Sequence, residues 1–194
     1  MKLAQVLKIP VCRGVGDAVV MSNQQIIITK KLALFSSQKV PGTLILKTYD
    51  IVAALRDAGV TVIGGFHSHM EKECLKILLR GIQPIMICPA RSIKGYRDPV
   101  AWKKPIQQGQ LTLLSNFPDN NRRVTAETAE QRNRFVIDQA DAIFIPYAAP
   151  GGMTEGLAKE IATTNKSMYT IIVPETMNLQ NLGAIDIDQV LKCP

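Results

Sequence analysis

The chain alternates between short, almost purely apolar runs and longer segments whose apolar residues recur at helical spacing. Residues 60–63 and 142–146 form two such runs, whereas residues 43–58 carry the helical pattern and precede Gly59, a residue type common at helix ends. Strands that are hydrophobic on both faces are typical of parallel sheets covered by helices. The alternation, repeated about five times, predicts an α/β chain with a Rossmann-like, doubly wound and mostly parallel sheet flanked by helices.

The N-terminal part of the sequence lacks this pattern. Residues 1–24 show no clear period and are interrupted by Pro10, Gly14 and Gly16, so we expect an irregular segment there. Residues 25–194 are predicted to form a single Rossmann-like domain. The other predicted strands cover residues 26–28, 32–35, 84–88, 111–114 and 168–173, and the other predicted helices cover residues 70–80, a segment from 99, 126–139, 152–164 and 187–191.

Composition narrows the class of protein. Hydrophobic residues make up 46% of the chain, which is enough for a packed core. No apolar run approaches the roughly 20 residues that cross a bilayer, and the N-terminus lacks the apolar stretch of a signal peptide. The four cysteines, which show no CxxC spacing, are Cys12, Cys74, Cys88 and Cys193. We therefore expect free thiols in a soluble, cytoplasmic protein without a membrane partner.

The chain is basic, with 23 Lys and Arg against 16 Asp and Glu and a net charge of +7. An excess of this size favours polyanionic partners, because each neutralised phosphate releases condensed counterions. The charge alone does not establish nucleic-acid binding, since many small basic proteins bind none. The sequence leaves a monomer and a homodimer open.

Ligands of doubly wound sheets bind beyond the carboxyl ends of the strands, so the loops at these ends are the candidate sites. The loop after residues 142–146 contains Gly151, Gly152, Met153 and Thr154, at the predicted start of a helix. Two glycines let the backbone approach a ligand closely, and the free N–H groups of a helix start suit a phosphate. A glycine pair that only makes a turn is the alternative.

Two further loops follow predicted strands. Ser36, Ser37 and Lys39 follow the strand at 32–35, where hydroxyls and an ammonium suit phosphate, although an ordinary solvated turn fits equally well. Gly64, Gly65 and Phe66 follow the strand at 60–63 and precede a pair of histidines, His67 and His69. Residues two apart at a helix start point to different faces, and no HExxH spacing is present. We therefore expect no metal and no cofactor.

The predicted helix at 126–139 carries a basic pair, Arg132 and Arg134. They are separated by about 200° of rotation, so only one of them can face a given ligand. The other arginine packs against the protein, forms an ion pair or faces solvent.

Several of these segments together resemble the DprA/Smf family of DNA-processing proteins. Residues 130–135 (EQRNRF) are similar to the family's RNR helix, and residues 140–145 (ADAIFI) to its (S/A)DA strand, which leads into a small-residue phosphate loop. Residues 115–118 (SNFP) and 64–66 (GGF) are similar to two of its strand ends. Gln38 stands where the family's GSR motif has arginine. The resemblance covers roughly residues 31–173.

The resemblance implies a Rossmann-like domain that binds single-stranded DNA in a basic groove at the strand ends. It also implies a role in DNA processing or recombination. The residues that it assigns to phosphate or base contact are Ser37, Lys39, Arg132 and Asn133, with Gly151, Gly152 and Thr154 as the anion cradle. Tyr96, Trp102 and Tyr147 are candidate stacking residues.

An enzymatic alternative remains open. Residues 150–155 (PGGMTE) also resemble the PGGxGTxxE loop of LOG phosphoribohydrolases, which belong to the wider DprA/LOG superfamily. The glutamate of that motif is replaced by Leu157, which leaves Glu155 as the nearby carboxylate. A displaced carboxylate without a base partner is weak support for catalysis. We therefore expect a binding protein rather than an enzyme, with a non-catalytic nucleotide sensor or carrier as a third possibility.

Overall fold

The computed structural model describes residues 6–9, 18–21 and 30–191. The strands of these residues are β1 Val6–Ile9, β2 Ala18–Met21, β3 Lys31–Leu34, β4 Thr61–Gly64, β5 Ile85–Ile87, β6 Leu111–Ser115, β7 Ala142–Phe144, β8 Ser167–Thr170 and β9 Ile185–Asp186. The helices are α1 Gly42–Asp57, α2 His69–Leu78, α3 Val100–Gln107, α4 Ala126–Gln139, α5 Met153–Ala162, α6 Met177–Gln180 and α7 Asp188–Leu191, with a 3-10 turn at Pro174–Thr176 before α6.

All the described strands join one sheet in the order β1-β2-β6-β5-β4-β3-β7-β8-β9. The strands from β6 to β9 in this order run parallel, as in the register that pairs Ala33 with Ile63 and Ile63 with Met86. β1 and β2 pair antiparallel with each other, and β2 pairs antiparallel with β6. The prediction of a doubly wound, mostly parallel Rossmann-like sheet is confirmed.

The strand order places a topological switch point between β3 and β7. From β3 the chain moves strand by strand to β6, then returns through α4 to β7 on the other side of β3. The connections that leave β3 and β7 therefore lie on opposite faces, which opens a crevice at their carboxyl ends. The loop after β3 and the Gly-rich loop after β7 both start at this crevice.

The core lies on both faces of the sheet. One buried cluster packs Ile143 of β7 against Phe135 and Ile161 of the flanking helices, and a second packs Phe144 against Leu44 and other residues of α1 and α2. Each fully buried side chain of this size contributes about 1.5–3 kcal/mol relative to an exposed one. Burial on both faces explains why the strands are continuous apolar runs. The positions of the loops are fixed by this rigid layer.

Cys74 and Cys88 are free and fully buried. Burial raises the pKa of each thiol to about 12, so both remain protonated at neutral pH. They therefore behave as small apolar residues of the core, in agreement with the expectation of free thiols. The described helices include none with the length and apolar character needed to span a membrane.

The structure corrects the prediction for part of the N-terminal segment. Residues 6–9 and 18–21, which the sequence analysis placed in an irregular segment, form β1 and β2. Strands of four residues are too short to show a convincing period. The strand predicted at 26–28 lies outside the described residues. The short elements β9 and α6 were not predicted, for the same reason of length.

Candidate nucleic-acid interface

The loop between β7 and α5 is a tight turn that requires both of its glycines. The backbone N–H of Gly152 donates to the carbonyl of Ala149 at 2.9 Å, and Gly151 between them has φ +72°. Pro150 and Gly151 thus occupy the positions that a type II turn reserves for proline and glycine. A Cβ on Gly152 would lie 3.0 Å from the Ala149 carbonyl oxygen. The glycine pair therefore shapes the turn that presents the start of α5.

The N-terminus of α5 is open. Gly156 is the first residue whose N–H donates to a carbonyl of the same helical turn, that of Gly152, at 3.0 Å. The N–H groups of Met153, Thr154 and Glu155 find no acceptor in the part of the chain that the structure describes, and Gly152 supplies no side-chain cap. These donors and the positive end of the helix dipole form an arrangement suited to a phosphate.

Glu155 lies beside these donors, but its carboxylate is bonded to another backbone N–H group, that of Gly151. Glu155 is 8% exposed, and its carboxylate accepts from the N–H of Gly151 at 3.1 Å, from Lys159 at 3.0 Å and from the Asn178 amide at 2.7 Å. The bonds from Asn178, Lys159 and Gly151, in that order of importance, lower the pKa of Glu155 to about 2. The carboxylate is therefore ionised at neutral pH and braces the turn against α5 and α6.

This network predicts how stability depends on pH. Unfolded Glu155 titrates near 4.3, whereas in the fold its pKa is about 2. The contribution of the ionised Glu155 carboxylate to the free energy of unfolding is therefore fully present above about pH 4.3 and is lost as the pH falls towards 2. We expect Glu155→Gln to show a shallower fall in melting temperature than the wild type across this range, measured by circular dichroism. Parallel profiles for the two proteins would contradict the network.

The loop after β3 is joined to the Gly-rich loop at the switch point. The N–H of Ser37 donates to the Tyr147 carbonyl at 3.1 Å, and its hydroxyl oxygen accepts from the N–H of Ala149 at 2.9 Å. Ser36 and Ser37 are both buried, whereas Lys39 is exposed. The two serines thus position the loops, and Lys39 is the exposed cation of this segment, which a ligand can reach directly.

Glu71, which sequence reasoning missed, links the loops after β3 and β4. Its buried carboxylate accepts from the backbone N–H groups of Ser36 at 2.9 Å, His67 at 2.7 Å and Ser68 at 3.4 Å. The Ser68 hydroxyl in turn accepts from the Glu71 N–H at 3.1 Å, which completes a capping box at the start of α2. The Ser-x-x-Glu spacing was the sequence signal for this role.

The loop after β4 is shaped around Arg132. An added Cβ on Gly65 would lie 1.5 Å from Nη1 of Arg132, so the guanidinium occupies the place of that side chain. A Cβ on Gly64 would lie 3.1 Å from the Leu34 carbonyl oxygen. Phe66 adopts a left-handed φ of +47° and buries its ring beneath this turn.

Arg132 is held in a fixed orientation. It is 6% exposed, donates from Nη1 to the Cys88 carbonyl at 3.1 Å and from Nε to Oδ1 of Asn133 at 2.8 Å. Burial lowers the pKa of Arg132, and the nearby Glu71 carboxylate opposes this change. Asn133 therefore orients the guanidinium, and Arg132 lines a cleft rather than an open surface.

Arg134 faces away from this region. It is exposed and pairs with Glu130 at 2.7 Å and with Glu160 at 3.2 Å. The prediction that Arg132 and Arg134 cannot face one ligand is confirmed. His67 and His69 belong to no group of three or more His, Cys, Asp or Glu side chains that could hold a metal, within the described residues.

A cleft of about 880 Å³ opens beside Gly65 and Arg132. Tyr96 and Trp102 on its wall are stacked, with ring centroids 6.3 Å apart and planes 8° from parallel, and the Arg91 guanidinium carbon lies 4.8 Å from the centroid of Tyr96. Besides Arg132, the cations along the cleft are Lys72, Lys76, Arg91 and Arg97. Flat apolar surfaces bordered by cations are what single-stranded nucleic acids require.

Within the part of the chain that the structure describes, two of these cations, Lys72 and Arg97, are exposed and have no ion pair. Lys76 pairs with Glu73 at 2.6 Å. Arg91 and Arg97 thus lie together with two of the predicted stacking residues, Tyr96 and Trp102, whereas the third, Tyr147, does not line the cleft. The sequence had no means of showing that they share one cleft with the RNR helix.

No protein-family model and no curated protein sequence matches this chain. The structure is similar to that of DNA processing protein A (DprA) from Helicobacter pylori, a structure described for its single-stranded DNA binding mode. The two chains are 16% identical over 96% of this chain and 93% of that chain, with a TM-score of 0.77. This chain therefore has the Rossmann-like fold of DprA.

Two more solved structures share the fold. DprA from Streptococcus pneumoniae is 11% identical over 88% of this chain, with a TM-score of 0.70, and this chain spans 62% of its length. The molybdenum cofactor carrier protein from Chlamydomonas reinhardtii is 11% identical over 81% of this chain and 89% of that chain, with a TM-score of 0.54. The architecture thus occurs in proteins with different ligands.

Proposed function

We propose that this protein binds single-stranded DNA along the carboxyl edge of its sheet, with the Gly-rich loop and the start of α5 holding a backbone phosphate. The observation that supports this most is the set of open N–H donors on Met153, Thr154 and Glu155, beside the β3–β7 switch point. The similarity to a DprA whose structure was described for single-stranded DNA binding agrees with it. A role in DNA processing in the cytoplasm is part of this proposal.

The cleft supports a strand rather than a small ligand. It begins beyond β4 and β5, and the Gly-rich loop begins beyond β7, on the same edge of the sheet. Three strand spacings separate β5 from β7, which places the two regions about 14 Å apart. A strand along this edge would contact phosphate at α5 and stack bases in the cleft.

Salt dependence tests the proposal. Contact with about four phosphates gives log K a slope of about −3 against log salt for a single strand, so affinity should fall about 50-fold between 50 and 200 mM. Fluorescence anisotropy with labelled oligo-dT measures this slope. A flat profile, or no change in anisotropy at low salt, would overturn the proposal.

Nucleotide hydrolysis is the competing function, and the geometry of Glu155 argues against it. A carboxylate that accepts three hydrogen bonds and has a pKa of about 2 is a poor general base. Incubation with adenosine or inosine monophosphate should release no free base. Base release that Glu155→Ala abolishes would favour a LOG-like enzyme.

The fold shared with a molybdenum cofactor carrier favours a small-ligand carrier as the other alternative. Tighter binding of a mononucleotide than of oligo-dT would support this alternative.

A further inference from the structure

A second, smaller cavity adjoins the aromatic cleft. It has a volume of about 140 Å³ and is lined by Arg91, Ser92, Lys94, Gly95 and Arg122. Arg91 and Gly95 line both the cavity and the cleft. The cavity is therefore a side chamber of the cleft, at the end remote from the Gly-rich loop.

Hydrogen bonds between two loops build this chamber. The N–H of Ser92 donates to the Asn121 carbonyl at 2.8 Å, and Nη1 of Arg91 donates to the Arg122 carbonyl at 3.4 Å. The N–H of Lys94 donates to the Ser92 hydroxyl at 3.1 Å, and Gly95 makes the turn with φ +73°. The loop after β5 is thus tied to the loop after β6, and this places the three cations around one space.

The charge of the chamber is positive. Arg91, Lys94 and Arg122 are opposed by Asp119, which pairs with Lys94 at 3.0 Å. Both partners of this pair are more than half exposed, and ion pairs in solvent contribute little. A phosphate entering the chamber can therefore replace Asp119 as the partner of Lys94 and gain contacts with two guanidinium groups, which bind phosphate oxygens well.

We infer that this chamber is a second phosphate subsite, which holds a backbone phosphate of the strand whose base lies against Tyr96 or Trp102. The inference rests on the proposed function and adds the class of ligand. Because the chamber follows β5 and the Gly-rich loop follows β7, one ligand must span about 14 Å to reach both. At the 3.4 Å rise of a stacked strand this corresponds to about four nucleotides. The ligand is thus an oligonucleotide rather than a mononucleotide.

A charge-matched pair of double variants tests the subsite. Lys94→Ala/Arg122→Ala removes two cations of the chamber. Lys30→Ala/Arg80→Ala removes two exposed cations at the opposite edge of the sheet, just before β3 and just after α2. Loss of two phosphate contacts makes the salt slope shallower by about 1.4. The variant's loss of oligo-dT affinity relative to the wild type is therefore about 25-fold greater at 0.1 M salt than at 1 M salt. We expect this for the chamber variant and a much smaller change for the control.

The outcomes separate the inference from the proposed function. Wild-type affinity should rise from dTMP to an oligo-dT of about four nucleotides, and the chamber variant should lose most of this gain. Equal affinities for the two double variants, with intact oligo-dT binding, would refute the subsite and leave the proposed function standing. No oligo-dT binding by the wild type would refute both. Thermal unfolding checks that each variant is folded.

Discussion

Replacing Trp102 with alanine is expected to weaken oligo-dT binding about 5- to 150-fold, because stacking on an aromatic ring contributes ~1–3 kcal/mol per base. Trp102 is half-buried on the wall of the cleft and stacks on Tyr96. Its removal takes away the largest flat surface in the site. Anisotropy at constant salt measures the effect, and the salt slope should stay near the wild-type value because no charge is lost.

Two comparisons guard this prediction against loss of the fold. Trp102 also packs against the core beneath α3, so Trp102→Ala is expected to lower stability as well. Trp102→Phe keeps a flat ring and should retain most of the affinity. Unchanged affinity for a folded Trp102→Ala protein would show that bases do not stack there.

Replacing Gly65 with alanine is expected to destabilise the protein by about 1–3 kcal/mol, as other overpacking substitutions do. The new Cβ would lie 1.5 Å from Nη1 of Arg132, and this guanidinium is held by the Cys88 carbonyl and Asn133. The side chain of Arg132 must therefore move. We also expect weaker oligo-dT binding, since Gly65 and Arg132 both line the cleft. Urea unfolding measures the first effect.

A double-mutant cycle isolates the steric clash between the new Cβ at position 65 and the side chain of Arg132. In an Arg132→Ala background, Gly65→Ala should cost little, because the space beside Gly65 is then empty. Gly156→Ala is the matched control, since its Cβ meets nothing within 4 Å on the exposed face of α5, and it should gain about 0.5–1 kcal/mol. Additive costs for Gly65→Ala and Arg132→Ala would contradict the packing described here.

The fold was predictable because its determinants are local. The apolar runs and the helical spacing predicted α4 at the bounds it has, 126–139, and most other elements within a few residues. The general rule for ligand sites in doubly wound sheets also selected the loops after β3 and β7. Their contact through Ser37 depends on strand order, which periodicity does not contain.

The details of the site depended on contacts distant in sequence. Helix geometry predicted that Arg132 and Arg134 diverge, but only the packing of α4 against β3 and β4 decided which of them is buried. The same limit applies to Glu71, whose carboxylate accepts a hydrogen bond from the backbone N–H of Ser36, 35 positions away in the sequence. The sequence left Glu155 open as a catalytic base. Its hydrogen bond from Asn178 on α6, far along the chain, shows that its carboxylate instead holds the Gly-rich turn in place.

Amide chemical shifts of the 15N-labelled protein test the central claim most directly. On titration with oligo-dT, the amides of Met153, Thr154 and Glu155 should shift most among those of α5, since their N–H groups are the open donors of that helix. The amide of Gly151, already bonded to Glu155, should shift less. Saturable oligo-dT binding that leaves all three α5 amides unmoved would contradict the account.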